Sequence, residues 1–301
     1  MHFTWREAWT AALMNPNLRK PCDEIAPARG AWRGLTLGSI FLISWIATAT
    51  LNAQQDDLRA KAQNPVANLI SVPLENTVDF GAPDGSAYFL NIQPVIPVTV
   101  GQWNLINRII APLIYAPGEI GGTPEIPMGS QGAGVFGLGD INYSLFFSPA
   151  DAAGMIWGLG PSLSLRTATD DQLGSGKWSA GPTAVVLAQP QPWSLGVLVR
   201  NIWSFAGDSK RAEVNQFLLQ PFINYNLEDG WYLTTEPILT ANWRAEPTDR
   251  WTVPLGGGIG KLFTIGQQPI NTRLTAYYNA ERPTNAPDWA IKLTIAFLFP
   301  K

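Results

Sequence analysis

Ionisable residues are sparse in this 301-residue chain, 14% against the roughly 25% usual in a soluble domain, so each one set at a regular spacing is informative. Arg108 lies within "WNLINRIIAPLIY", Arg200 within "WSLGVLVRNIW", Glu236 within "WYLTTEPILTANW" and Lys292 within "DWAIKLTIAFLF". Each stretch alternates, and alternation divides a strand into two faces. With Trp103, Leu105, Ile109 and Tyr115 on one face, Arg108 falls on the other. Trp157, Leu159 and Leu163 likewise oppose Arg166, and the same exercise adds Asp140, Asn142, Arg200, Glu236, Arg273 and Lys292 to the polar face. A ring of such charges selects ions and polar solutes if water fills the space between them. It stiffens the fold if the charges pair instead. Arg108, Arg166, Arg200, Arg273 and Lys292 against Asp140 and Glu236 predict a positive excess, and so a preference for anions.

Other chemistries find little support. The only histidine is His2 and the only cysteine Cys22, both far to the N-terminal side of the alternating segments, which leaves no imidazole for Ser-His hydrolysis and no histidine or cysteine metal site. "GGGIGK", Gly256 to Lys261, is one residue short of a phosphate loop and lacks the following Ser or Thr, so its glycines read as bends in a strand. Asp170 and Asp171 in "TATDDQLGSGK" read as a solvated turn, not a cation site. No cofactor is expected, nor is the protein expected to be an enzyme. A net charge of -3 gives no reason to expect a nucleic-acid partner.

The elements that must hold these charges are strands. From Asn68 onward about twelve alternating segments appear, centred near Ile70, Ile92, Ile109, Ile141, Leu163, Ala184, Val199, Phe222, Pro237, Leu255, Thr275 and Leu293. Short turns around Thr99, Pro149, Gln189, Leu227 and Gly266 alternate with longer loops at Glu75 to Gly85, Pro117 to Gly132, Thr169 to Gly176, Gly207 to Ala212, Glu246 to Asp249 and Arg282 to Ala286. Trp231 and Trp243 share a face twelve residues apart, roughly 40 Å of strand at about 3.3 Å per residue. Tilted by about 40°, that run spans roughly 30 Å, near the apolar band of a membrane barrel with its aromatic girdles. The fold class is therefore all-β: one transmembrane antiparallel up-and-down barrel of about twelve strands, with lipid outside and water inside. A soluble secreted β protein would have to bury these charges or expose its tryptophans. Pro94, Pro112, Pro161, Pro182, Pro221, Pro237 and Pro254 fall inside the strands, where each removes a ladder donor.

The first residues have a different composition. Arg29 and Arg33 precede "GLTLGSIFLISWIATAT" and then small residues, the order of a secretory signal, with cleavage expected after Ala49 or Ala53. The organisation expected is a leader at 1–53, a polar segment at 54–67 and the barrel at 68–301.

Several stretches together resemble the outer-membrane barrels grouped with a phenol meta-degradation pathway and often labelled transporters. They are "QNPVANLISVPLENTVDFG", "NIQPVIPV", "GLGDINYSLFFSP", "RTATDDQLGSGKWSAGP", "VNQFLLQPFINYNLEDGWYLTTEPILTANW", "WTVPLGGGIGK" and "DWAIKLTIAFLFPK". The resemblance covers about Gln63 to Lys301 and implies an outer-membrane location, lipid as the surrounding partner and a small-molecule solute. It transfers no active site. The alternative is a structural barrel with a closed lumen.

Overall fold

The computed structural model describes residues 54–126, 132–152 and 154–300. The expected leader at 1–53, with His2, Cys22 and its cleavage sites, lies outside the described residues.

Among the described residues, fifteen strand segments form one antiparallel sheet that closes on itself. They are β1 (Ile70–Ala82), β2 (Gly85–Ile92), β3 (Val95–Val100), β4 (Trp103–Ala116), β5 (Val135–Leu138), β6 (Ile141–Pro149), β7 (Met155–Leu165), β8 (Lys177–Ala188), β9 (Trp193–Gly207), β10 (Asn215–Asn226), β11 (Trp231–Thr235), β12 (Leu239–Asn242), β13 (Trp251–Ile265), β14 (Gln268–Glu281) and β15 (Trp289–Phe299). Three pairs, β2 with β3, β5 with β6 and β11 with β12, are single staves interrupted partway, so the fifteen segments make twelve staves. Closure joins β1 to β15, with Ile70 opposite Phe299 and Phe80 opposite Trp289. No sheet edge is left along this seam, as spanning a hydrocarbon layer requires.

Alternation sorts the side chains as expected. On β10 the even residues Gln216, Leu218, Phe222 and Asn224 are buried while Ile223 and Tyr225 are exposed. The exposed face is apolar and ends in two aromatic belts. At the short-turn end Trp103 packs edge-on to Trp157 and Trp193 to Tyr225; at the long-loop end Trp243 packs on Trp251 and Tyr278 on Trp289.

One expected loop is a strand. Residues Glu75 to Gly85 were expected to form a long connection, but β1 continues to Ala82 and turns within Pro83 and Asp84. Its "VPLENTVDF" run mixes polar residues into both faces, which masks the alternation: Glu75, Thr77 and Asp79 point inward, while Asn76 faces outward and accepts the Tyr88 hydroxyl at 2.6 Å.

The prolines mark where the ladder changes. Pro94 follows β2 and Pro237 follows β11, at two of the stave interruptions; Pro254 sits at a register shift between β13 and β14. Pro161 and Pro182 face each other across β7 and β8, so two missing donors share one site. Residues that cannot donate are thus gathered where the ladder is already broken, or set opposite one another.

Both ends of the barrel are filled. A helix over residues 54–62 (α1) and the chain after it occupy the short-turn end. Arg59 donates to the Leu227 carbonyl at 2.7 Å, Gln63 to Asn226 Oδ1 at 2.9 Å, and Gln189 to the Ala60 carbonyl at 2.8 Å. Val66 packs among the inward Ile106, Phe146, Val185, Leu187 and Phe222, while Leu58, Ala62 and Leu69 cover Leu262 and Leu298. At the opposite end the connection after β4 folds inward, burying Ile120 and Ile126 against Phe89, Ile114 and Leu173.

Candidate functional site

Between these two fillings the inward face is charged. Arg108, on β4, donates to Gln93 Oε1 at 2.9 Å. Arg273, on β14, donates to Glu236 Oε2 at 2.7 Å. Lys292, on β15, lies 3.2 Å from Glu75 Oε1 on the neighbouring β1. Gln93 and Glu236 are the residues immediately ahead of Pro94 and Pro237. Each proline interruption therefore presents an acceptor to an arginine. The Glu236 N–H, without a ladder partner, donates instead to the Tyr277 hydroxyl at 3.1 Å, so the break leaves no orphan donor there.

Arg200, on β9, is different. Thr183 and Leu218 sit opposite it on the two flanking strands, yet it makes no ion pair or hydrogen bond among the described residues. Its Nε is buried without a partner.

Asp140 and Asn142 flank the layer on the long-loop side. The Asp140 carboxylate accepts the Thr167 and Ala168 N–H groups at 3.2 Å each, the Ser175 N–H at 2.7 Å and the Ser175 hydroxyl at 2.8 Å. Four donors from one loop make it an anchor for the connection between β7 and β8. Asn142 Oδ1 lies 3.5 Å from Ser144 Oγ and 3.4 Å from Ser162 Oγ, and the two serines bond each other at 2.9 Å. Asp170, nearby, accepts the Gln172 N–H at 2.9 Å in a turn.

Two expectations need correction. Arg166 bounds neither of the inner hollows: β7 ends at Leu165, so the alternation that was extended to Arg166 stops one residue short, and the side chain is exposed. Nor is there a positive excess. Inward Arg108, Lys177, Arg200, Arg273 and Lys292 are matched by Glu75, Asp79, Asp140 and Glu236 from the staves and by Glu125 from the infolded connection, five against five. Glu75 and Asp79 were missed because the part of β1 from Glu75 onward was read as a loop; their spacing with Thr77 carried the signal. Glu125, held by the Asn91 amide at 2.7 Å, reaches the layer only through tertiary folding and leaves no periodic trace.

Two hollows meet at this layer, about 1060 and 940 Å³ counting the space open to solvent at their mouths. Both are bounded by Glu75, Gln93, Arg108, Leu198 and Gln220. The upper one extends past Arg200 toward Asp140, and the lower one runs past Glu236 and Arg273 to the segment after α1.

An outer-membrane channel from Pseudomonas putida F1 has a similar fold, with a TM-score of 0.58 at 13% identity over 77% of this chain and 96% of that one. This chain has the fold of an outer-membrane β-barrel. Its closed sheet, apolar outer face and paired aromatic belts meet the requirements of that location independently. More distant matches include the CymD monoaromatic hydrocarbon channel (TM-score 0.43, 11% identity, 81% of this chain and 92% of that one) and outer membrane phospholipase A from Escherichia coli (0.39, 12%, 81% and 96%). No family model and no curated protein matches the chain. The grouping with the phenol-degradation barrels rests on the quoted stretches alone.

Proposed function

We propose that the barrel is a passive channel for small organic molecules, with Arg108, Asp140, Asn142, Arg200, Glu236, Arg273 and Lys292 lining or framing its path. The observation that carries this reading is the pair of hollows meeting at one charged layer. A barrel needed only as a scaffold has no use for hollows inside it, and its inward charges would be replaceable by apolar packing. The fold shared with a Pseudomonas putida outer-membrane channel supports the reading. The resemblance to barrels of a phenol-degradation group directs attention to aromatic solutes. Catalysis is not part of the reading, since the charged layer offers no histidine to activate a nucleophile.

Uptake by vesicles reconstituted with the full chain tests it. Phenol-sized neutral and anionic organic solutes should enter faster than into protein-free vesicles, and equal rates would overturn the channel. The fillings at both ends and the Arg273–Glu236 and Lys292–Glu75 pairs favour one second reading, a closed, charge-paired barrel. It requires absent flux together with loss of folding in Glu236→Gln.

A further inference from the structure

Among the cations that bound the two hollows, Arg200 is the one without an ion pair or hydrogen bond among the described residues. Arg273 and Lys292 have carboxylates, and Arg108 has the Gln93 amide oxygen. Removing an unpaired guanidinium from water is costly, and a barrel indifferent to it would pair it with a neighbour, as its other staves do.

The walls around Arg200 are of two kinds. Polar side chains in the same hollow include Ser179, Thr183, Gln216 and Gln220, and the buried Ser179 hydroxyl has no partner among the described residues; the carboxylates that also line it are engaged elsewhere, Glu75 with Lys292, Glu125 with the Asn91 amide and Asp140 with Ser175 and its loop. Apolar ones include Phe146, Leu198, Ile202 and Leu218. A fork of guanidinium donors beside an apolar wall matches a ligand with a planar anionic head and an apolar body. The head supplies the missing counter-charge. The body covers Phe146 and Leu198.

We infer that the hollow in front of Arg200 is a binding site for amphipathic monocarboxylates, aromatic acids of benzoate size among them. This deepens the channel reading and rests on the lumen being accessible to solutes. Acidic and basic side chains are matched in number around the layer, so anion recognition here is local to Arg200 and does not come from a general positive field.

Benzoate binding to the full-length protein in detergent, followed by calorimetry, tests the site without requiring flux. Benzoate should bind measurably, benzamide and benzylammonium about tenfold or more weakly, and acetate weakly because it lacks the body. Arg200→Met, which removes an unpaired charge and keeps the stem, should retain the heat-modifiable gel mobility of a folded barrel and lose benzoate binding by about tenfold or more. Arg200→Lys keeps the charge but not the fork, so its affinity should fall between the two; it carries the test if the Met variant does not fold. Arg166→Gln, beyond the end of β7, should bind as the wild type does. Absent benzoate binding, equal binding of benzoate and benzamide, or unchanged affinity in both Arg200 variants would overturn the site. Vesicle uptake is scored separately: flux without benzoate binding removes the site and keeps the channel, and binding without flux does the reverse.

Discussion

Glu236 and Arg200 show how differently two inward charges can be held on one wall. Glu236 is fixed to Arg273 at 2.7 Å, with both side chains mostly out of water. Glu236→Gln would leave Arg273 without its counter-charge, at a cost of roughly 2 to 4 kcal/mol after allowance for the residual exposure of the pair. Denaturant unfolding followed by tryptophan fluorescence should show that loss, and an unchanged midpoint would mean that water, not Glu236, satisfies the arginine. Arg108, Arg200 and Lys292 were legible from alternation because each stands alone in an apolar context, and Arg273 because Leu274 and Tyr278 fix the opposite face of its strand. Glu75 was not, since polar residues occupy both faces around it. Arg166 was over-read for the opposite reason: an alternating pattern says which face a residue takes, but not where hydrogen bonding between staves stops.

The staves themselves follow from period and turn chemistry, and their phase gives the second prediction. Leu293 lies on the exposed face of β15, opposite Asn76 and Leu274 and away from either aromatic belt. Leu293→Arg or Leu239→Arg should destabilise the barrel by about 2 to 4 kcal/mol, as a charge near the lipid midplane does, whereas Thr240→Arg, facing inward, should cost less. Equal losses at the three positions, measured by unfolding in lipid vesicles, would mean that the faces are assigned wrongly. The loops offer a pH-dependent element. Asp249 accepts both the Thr284 N–H at 2.7 Å and the Thr284 hydroxyl at 2.8 Å, and these bonds hold its carboxyl below the usual range. A depressed folded-state value contributes order that is present above the ordinary carboxyl range near pH 4 and is lost as pH falls through the folded value. Amide exchange at Thr284, corrected for intrinsic rate, should therefore accelerate on acidification and should not do so in Asp249→Asn. Equal acceleration in the variant would assign the effect to another group. Strand prolines are what period alone could not place. Their reason appears only in the closed sheet, where Pro94 and Pro237 end the ladder beside Gln93 and Glu236 and deliver each to an arginine.

At the scale of the whole molecule, the apolar outer face and the two belts are consequences of solvent, and so is the polar middle of the lumen. The ends are not. Ile106, Phe146, Leu187 and Phe222 point inward although they are apolar, and they are covered by Val66 and the chain around it; Phe89 and Ile114 are covered by the infolded connection with Ile120 and Ile126. Sequence alternation reports that these residues face inward but cannot say that another part of the chain fills the space, because that contact joins segments far apart in sequence. Membrane fractions of cells making the full chain should hold the protein in the outer membrane, with a gel mobility that changes on heating. Recovery in a soluble fraction would exclude the barrel. Most directly, the channel itself is tested by current through single molecules of the purified full-length protein in a planar bilayer. Discrete, reproducible steps in conductance that are absent without protein are the expected result; a folded, heat-modifiable barrel that inserts and never conducts would contradict it.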